Sequence, residues 1–280
     1  MTTPEFDRIA DVYDETRRSL NEETVKGIEH MLTNHVCHSI LEIGVGTGRV
    51  ALPLIRSGYE VTGMDISRRM MEKASAKGMK SLLLADGRSA PFRRKSFDAT
   101  LMAHVFHLLD NPLSVMREAA TVSRVGVFAL IRKRNETRPW SFFSGVDSSA
   151  GKQNGSDDNQ AARKFFEERR DRFRKIFQKY GWDPSRVFNW RREWEILETY
   201  PPDDLKVVSD VIVNESVEER ISRFENGSYG FMSRMPDAMR REIVEEMRSS
   251  RLTLAQGAAM QSRHQVYQLA LWNSKRLLTP

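Results

Sequence analysis

One cysteine, Cys37, stands in 280 residues. That excludes an internal disulfide and any metal site built from several thiolates. Long apolar runs are missing as well: "VGVFALI" (125–131) is far too short to cross a bilayer. The amino end, "MTTPEFDRIADVYDE", lacks the charged-then-apolar layout of a signal peptide. These absences predict a cytoplasmic protein without membrane insertion. Charge of one sign is scarce too, since 44 basic residues face 38 acidic ones for a net +6, with the signs interspersed. No basic stripe interleaved with aromatics stands out, so nucleic acid is possible but not favoured as a partner. No internal repeat is visible, and the length suffices for one large core.

What is present is alternation. Strand-like "SILEIG" (39–44), "EVTGMD" (60–65), "MKSLLLAD" (79–86), "FDATLMA" (97–103) and "VGVFALI" (125–131) are separated by helix-like stretches. Those helices are expected over 48–57, after a Ser67 cap, and over 112–122. Such alternation argues for a parallel sheet covered on both faces. After Ile131 the pattern changes. Residues 144–160 are polar and glycine-rich and read as a mobile loop. Next comes a helix whose Phe165, Phe166, Phe173, Ile176, Phe177 and Tyr180 share one face. A strand at 205–213, helices near 216–225 and 236–251, and a last strand at 263–272 complete the chain. The sequence thus predicts one domain: residues 1–132 as a cofactor-binding half with a leading helix, 133–204 as an insertion, and 205–280 as the last two strands with cap helices.

The segment "ILEIGVGTGRV" (40–50) carries the chemistry. Gly44, Gly46 and Gly48 after a strand permit a tight turn and remove side chains that would block a ligand. The dinucleotide fingerprint needs its third glycine at position 49, where Arg49 stands. Glu42 repels phosphate but suits an ammonium group. Asp65 ends the second strand, 21 residues after Gly44, where a carboxylate can accept both hydroxyls of a ribose. Asp86-Gly87 ends the third, where an adenine edge would lie. An adenosine with a cationic tail and no phosphate fits all three acids, and S-adenosylmethionine is such a molecule.

Together, "LEIGVGTG" (41–48), "VTGMDIS" (61–67), "LLADGRSAPF" (83–92), "FDATLMAHVFHLLDNP" (97–112) and the leading "FDRIADVYDETR" (6–17) resemble the class I S-adenosylmethionine-dependent methyltransferases of the UbiE-like, type 11 group. The resemblance implies an α/β fold: a Rossmann-like, seven-stranded, mostly parallel sheet with helices on both faces, an antiparallel last strand and a helical cap. It implies that Glu42, Gly44, Gly46 and Gly48 hold the methionine moiety, with Thr47 adding a hydroxyl. Asp65 would bind the ribose, and Ile66 would pack on adenine. Asp86 and Gly87 would take the adenine, while Ala103 and His104 would face the sulfonium. Tyr13 and Arg17 would close over the cofactor.

The expected reaction is methyl transfer to an acceptor, a small organic molecule by preference, with RNA or protein as the alternative and a non-catalytic cofactor-binding protein as a second. In-line displacement on an activated carbon depends mainly on positioning. His104, and less so His107, are the candidate bases; if "AHVFHLLD" is helical, both lie on one side of a turn. Absences narrow the acceptor. No Asn/Asp-Pro-Pro-aromatic motif follows the fourth strand, no cysteine is placed for cytosine C5 attack, and arsenite chemistry needs several cysteines. Trp140, Phe142, Phe143, Tyr229, Phe231 and Met232 are candidates for an apolar substrate pocket. No metal is expected.

Overall fold

The computed structural model describes residues 6–7, 10–11, 13–14, 19–133, 157–183, 191–226, 232, 235–253 and 260–279. The chain divides into two compact units, one of residues 1–133, 189–211 and 265–280, the other of residues 134–188 and 212–264.

The first unit is built on α1 (Glu22–Asn34), β1 (Ser39–Ile43), α2 (Ala51–Arg56), β2 (Glu60–Asp65), α3 (Arg68–Ala76), β3 (Leu82–Leu84), β4 (Phe97–Ala103), α4 (Pro112–Val122) and β5 (Ser123–Arg132). Polar side chains fix the helix starts. The Ser67 hydroxyl accepts from the Met70 amide, and Asn111 accepts from the Ser114 amide with Pro112 opening α4. α5 (Asp157–Lys179) belongs to the second unit. α6 (Arg191–Thr199), β6 (Asp204–Ser216), α7 (Val217–Glu225), α8 (Asp237–Thr253), β7 (Met260–Asn273) and α9 (Ser274–Leu278) follow.

The sheet has seven strands in the order β3-β2-β1-β4-β5-β7-β6. β1 to β5 pair in parallel, and β7 runs antiparallel to β5. Strand neighbours split between two cores, as a period of two requires. Ile40, Leu101, Phe128 and Leu130 pack on one face with Ile28, Leu32 and Leu54. Leu41, Met102 and Ala129 pack on the other with Met116, Phe106 and Trp272. Both faces are covered, which is why these strands read as nearly continuous apolar runs. Chain progression reverses between β1 and β4, so their carboxyl ends bound the crevice where open α/β sheets take ligands.

In the second unit, Phe173 and Phe177 of α5 are fully buried with Ile221, Phe224, Met239, Ile243 and Met247. Arg172 of α5 pairs with Glu246 at 2.6 Å, and the Tyr180 hydroxyl donates to Glu242 at 2.7 Å. From Phe173 to Tyr180 the aromatic stripe thus serves as core.

Several boundaries differ from the sequence expectation. α2 begins at Ala51 rather than Gly48, because Gly48 is spent in a turn at φ +78°. β3 spans three residues, since it is an edge strand and Asp86 turns the chain by accepting the Arg88 amide. "AHVFHLLD" forms one 3₁₀ turn, Phe106–Leu108, with His104 outside it. α5 begins at Asp157, inside the expected loop; the rest of that loop, 144–156, lies outside the described residues.

Candidate cofactor site

The three glycines serve three different needs. All have positive φ, +77° at Gly44, +54° at Gly46 and +78° at Gly48. The Gly44 and Val45 amides both donate to the Met64 carbonyl, at 2.8 and 3.1 Å, tying the turn to β2. A Cβ on Gly44 would stand 2.5 Å from Val105 Cγ1, so this glycine admits the segment that follows β4. A Cβ on Gly48 would meet Leu52 at 3.0 Å. A Cβ on Gly46 would meet nothing within 4 Å: its face is open.

Glu42, on β1, is 2% exposed. One carboxylate oxygen has no hydrogen-bond partner among the described residues. Burial pushes its pKa up to about 8, against the opposing Ala51 amide, which donates to it, and with a smaller push from Asp65. Asp65 receives the Gly46 amide on Oδ2 and the Ser67 amide on Oδ1, both at 2.8 Å. Burial raises its pKa, and those amides oppose the rise. Each oxygen keeps a lone pair for a further donor. Ile66, half-buried, comes directly after it.

Asp86 is engaged with its neighbour. Arg88 Nε lies 3.0 Å from both of its oxygens and Nη2 lies 2.6 Å from Oδ2, which holds the carboxyl below its ordinary range. Gly87 packs where a Cβ would stand 2.9 Å from Ile43.

Ala103 ends β4, and His104 follows at φ +56°. Its amide donates to the Leu130 carbonyl at 3.0 Å, and its ring centroid lies 5.2 Å from that of Tyr267. A non-glycine residue in the left-handed region costs about 1 kcal/mol or more and tends to mark a functional turn. His107 lies in the next turn, its Nδ1 3.0 Å from Glu193 Oε1 on α6. The two histidines do not share a helical face; Val105 between them rests against Gly44.

The leading segment reaches the same turn. Its described residues are helical. Asp7 accepts the Ser67 hydroxyl at 2.6 Å, Asp11 pairs with Arg69 and Lys73, and Asp14 accepts the Thr47 hydroxyl at 2.6 Å while pairing with Lys77. Thr47 is therefore held by Asp14, and Lys77 Nζ also donates to its carbonyl at 3.1 Å. Phe6 and Tyr13 pack on Ala10 and Met70. Arg17 lies outside the described residues, as do Trp140, Phe142, Phe143, Tyr229 and Phe231. Met232 is buried in the core of the second unit.

Sequence reasoning missed Glu193 and the three aspartates. Asp7, Asp11 and Asp14 fall at helical spacing and face Arg69, Lys73 and Lys77, also at helical spacing, so complementary periodicity was a usable signal. Glu193 had none.

Taken together, an open glycine turn, a carboxylate at the end of β2 and a buried acid on β1 meet at the switch point of an α/β sheet, where such folds take ligands. Residues 41–131, about a third of the chain, match the model of the methyltransferase domain family. An uncharacterised protein from Methanocaldococcus jannaschii is 35% identical over 43% of this chain and 57% of its own. An uncharacterised methyltransferase from Bacillus licheniformis is 34% identical over 39% and 54%, and the demethylmenaquinone methyltransferase of Thermotoga maritima 33% identical over 42% and 54%. The chain spans little more than half the length of these relatives. Over residues 41–131 the chain is similar to methyltransferase domains, which take S-adenosylmethionine as cofactor. The residues present fit that cofactor: a buried carboxylate oxygen awaits a cation, and the space over Gly46 is clear. No described helix is long and apolar enough to cross a membrane.

Proposed function

We propose that this protein methylates a small organic acceptor. The observation that carries the proposal is the open, positive-φ face of Gly46, whose amide donates to Asp65, on the turn that follows β1 with its Glu42, one oxygen of which is buried without a hydrogen-bond partner among the described residues. Glu42 would neutralise the ammonium of the methionine moiety and Asp65 would accept the ribose hydroxyls. Gly44, Gly46 and Gly48 would line the amino-acid end, Ile66 would pack on adenine, and Gly87 would border it. Asp86 would accept the exocyclic amine with the lone pairs that Arg88 leaves. Ala103 and His104 would border the reacting centre, and Tyr13 would close over the site.

When bound, S-adenosylmethionine supplies a methyl group already activated on a sulfonium. What remains for the chain is to orient the acceptor, exclude water and take up a proton where the acceptor must lose one. The named relative from Thermotoga maritima points to a small molecule in the acceptor's place. The deciding experiment incubates the protein with methyl-labelled cofactor and a fractionated extract. Label in the small-molecule fraction supports the reading; label in RNA or protein, or in no fraction while the cofactor binds, overturns it.

A further inference from the structure

The loop after β3 is placed by its backbone. The Ala85 amide donates to the Asp65 carbonyl at 3.0 Å, and Leu84 is the register partner of Asp65, so Asp86 follows directly on the end of β2. Gly87 is pressed between β1 and α4: a Cβ there would stand 2.9 Å from Ile43, which precedes Gly44, and 3.2 Å from Val115. The Ser89 amide donates to the Asp86 carbonyl at 3.0 Å, and the Ala90 amide donates to Glu118 Oε1 at 3.0 Å. None of these contacts uses the Arg88 side chain.

What that side chain holds is the Asp86 carboxylate. Nε lies 3.0 Å from both oxygens, Nη2 lies 2.6 Å from Oδ2, and the Arg88 amide donates to Oδ1 at 2.9 Å. An ionised carboxylate offers about four lone-pair sites, so these three N–H groups leave room for about one further donor. A planar guanidinium fork fixes the plane of the carboxylate as well as its charge, which an ammonium does not. The Asp86 side chain is 43% exposed, so without the fork its carboxylate is free to turn toward water. Held in place, it accepts only: it favours a base edge that presents an N–H and opposes one that presents an oxygen.

We propose that Arg88 is a specificity-determining positioning residue. By fixing the Asp86 carboxylate it makes the site select a nucleoside whose base carries an amino group over one carrying a carbonyl at the same place. This rests on the methyl-transfer reading above, in which Asp86 meets the adenine of the cofactor. Arg88 itself touches no part of the cofactor; it acts through Asp86.

Calorimetry with S-adenosylhomocysteine and S-inosylhomocysteine tests the proposal, because the two differ only in bearing an amino group or a carbonyl on the same purine carbon. The wild type should bind the adenosine compound about ten- to a hundred-fold more tightly, the range expected of a hydrogen bond to a charged group. Arg88→Ala should reduce that preference to about three-fold or less, through weaker binding of the adenosine compound alone. Arg88→Lys, which keeps the charge and loses the fork, should show the same loss. Asp65→Ala should weaken both compounds alike and keep the preference, which separates the orientation of Asp86 from general damage to the crevice. A wild type that does not distinguish the compounds, an undiminished preference in Arg88→Ala, or the full wild-type preference in Arg88→Lys overturns the proposal. Should Arg88→Ala fail to fold, Arg88→Lys decides alone. A wild type that binds neither compound overturns the cofactor reading itself, and this proposal with it.

Discussion

With Glu42 facing the cofactor's ammonium, as proposed above, cofactor binding should release a proton. The Glu42 pKa of about 8 in the free protein leaves about 0.9 of a proton on the carboxyl at pH 7. An ammonium brought to the unpartnered oxygen favours the ionised form, so binding should expel most of that proton. Calorimetry in two buffers of different ionisation enthalpy reads the number directly. If only the ionised form pairs with the ligand, affinity should rise about nine-fold from pH 6 to pH 7, a window in which the ligand's own amine stays charged. The same shift sets a stability profile for the free protein. Unfolded Glu42 ionises near 4.5 and folded Glu42 near 8, so the folded state holds a proton that the unfolded state releases. Stability therefore falls as pH rises between those values, by about 5 kcal/mol at most, and levels off above. Glu42→Gln should flatten both profiles and bind the cofactor without releasing this proton. Equal proton release in wild type and Glu42→Gln would refute the reasoning.

Asp65→Ala should weaken the cofactor at least ten-fold by calorimetry while the far-ultraviolet circular dichroism is retained, because charge-assisted bonds to the ribose are worth about 1.5–3 kcal/mol each; unchanged affinity would remove the ribose assignment. Gly44→Ala should cost about 2–4 kcal/mol in denaturant unfolding, since it combines positive φ with a 2.5 Å approach to Val105, whereas Gly46→Ala should cost about 1 kcal/mol and instead impair binding. Thr47→Val should loosen the leading segment, seen as faster hydrogen exchange at residues 6–14, with little change in the unfolding midpoint of the sheet. His104→Ala that binds cofactor normally and turns over fully would exclude His104 from the reaction.

Much of this protein was legible locally. The bounds of β2, β4 and α4 agree with their sequence reading, because a capping Asn111 with Pro112, or a terminal Asp65, punctuates the chain within a few residues of the boundary. The glycine turn after β1 was legible for the same reason, and Asp65 and Asp86 stand at the ends of β2 and β3 where the spacing put them. Boundaries failed where a neighbour decided. Gly48 went to the turn, and β3 shortened because an edge strand pairs on one side alone.

By itself the sequence determined that Glu42, Gly44, Gly46, Gly48 and Asp65 gather around one turn, since short-range spacing constrains where their backbone can go. Only the tertiary structure decided which carboxylate meets His107, that Thr47 answers to Asp14, and that His104 leaves the helical face. Those partners come from distant elements, and a contact between residues 86 positions apart leaves no periodic trace in either segment. Packing of α6 on the ends of β4 and β5 brings them together.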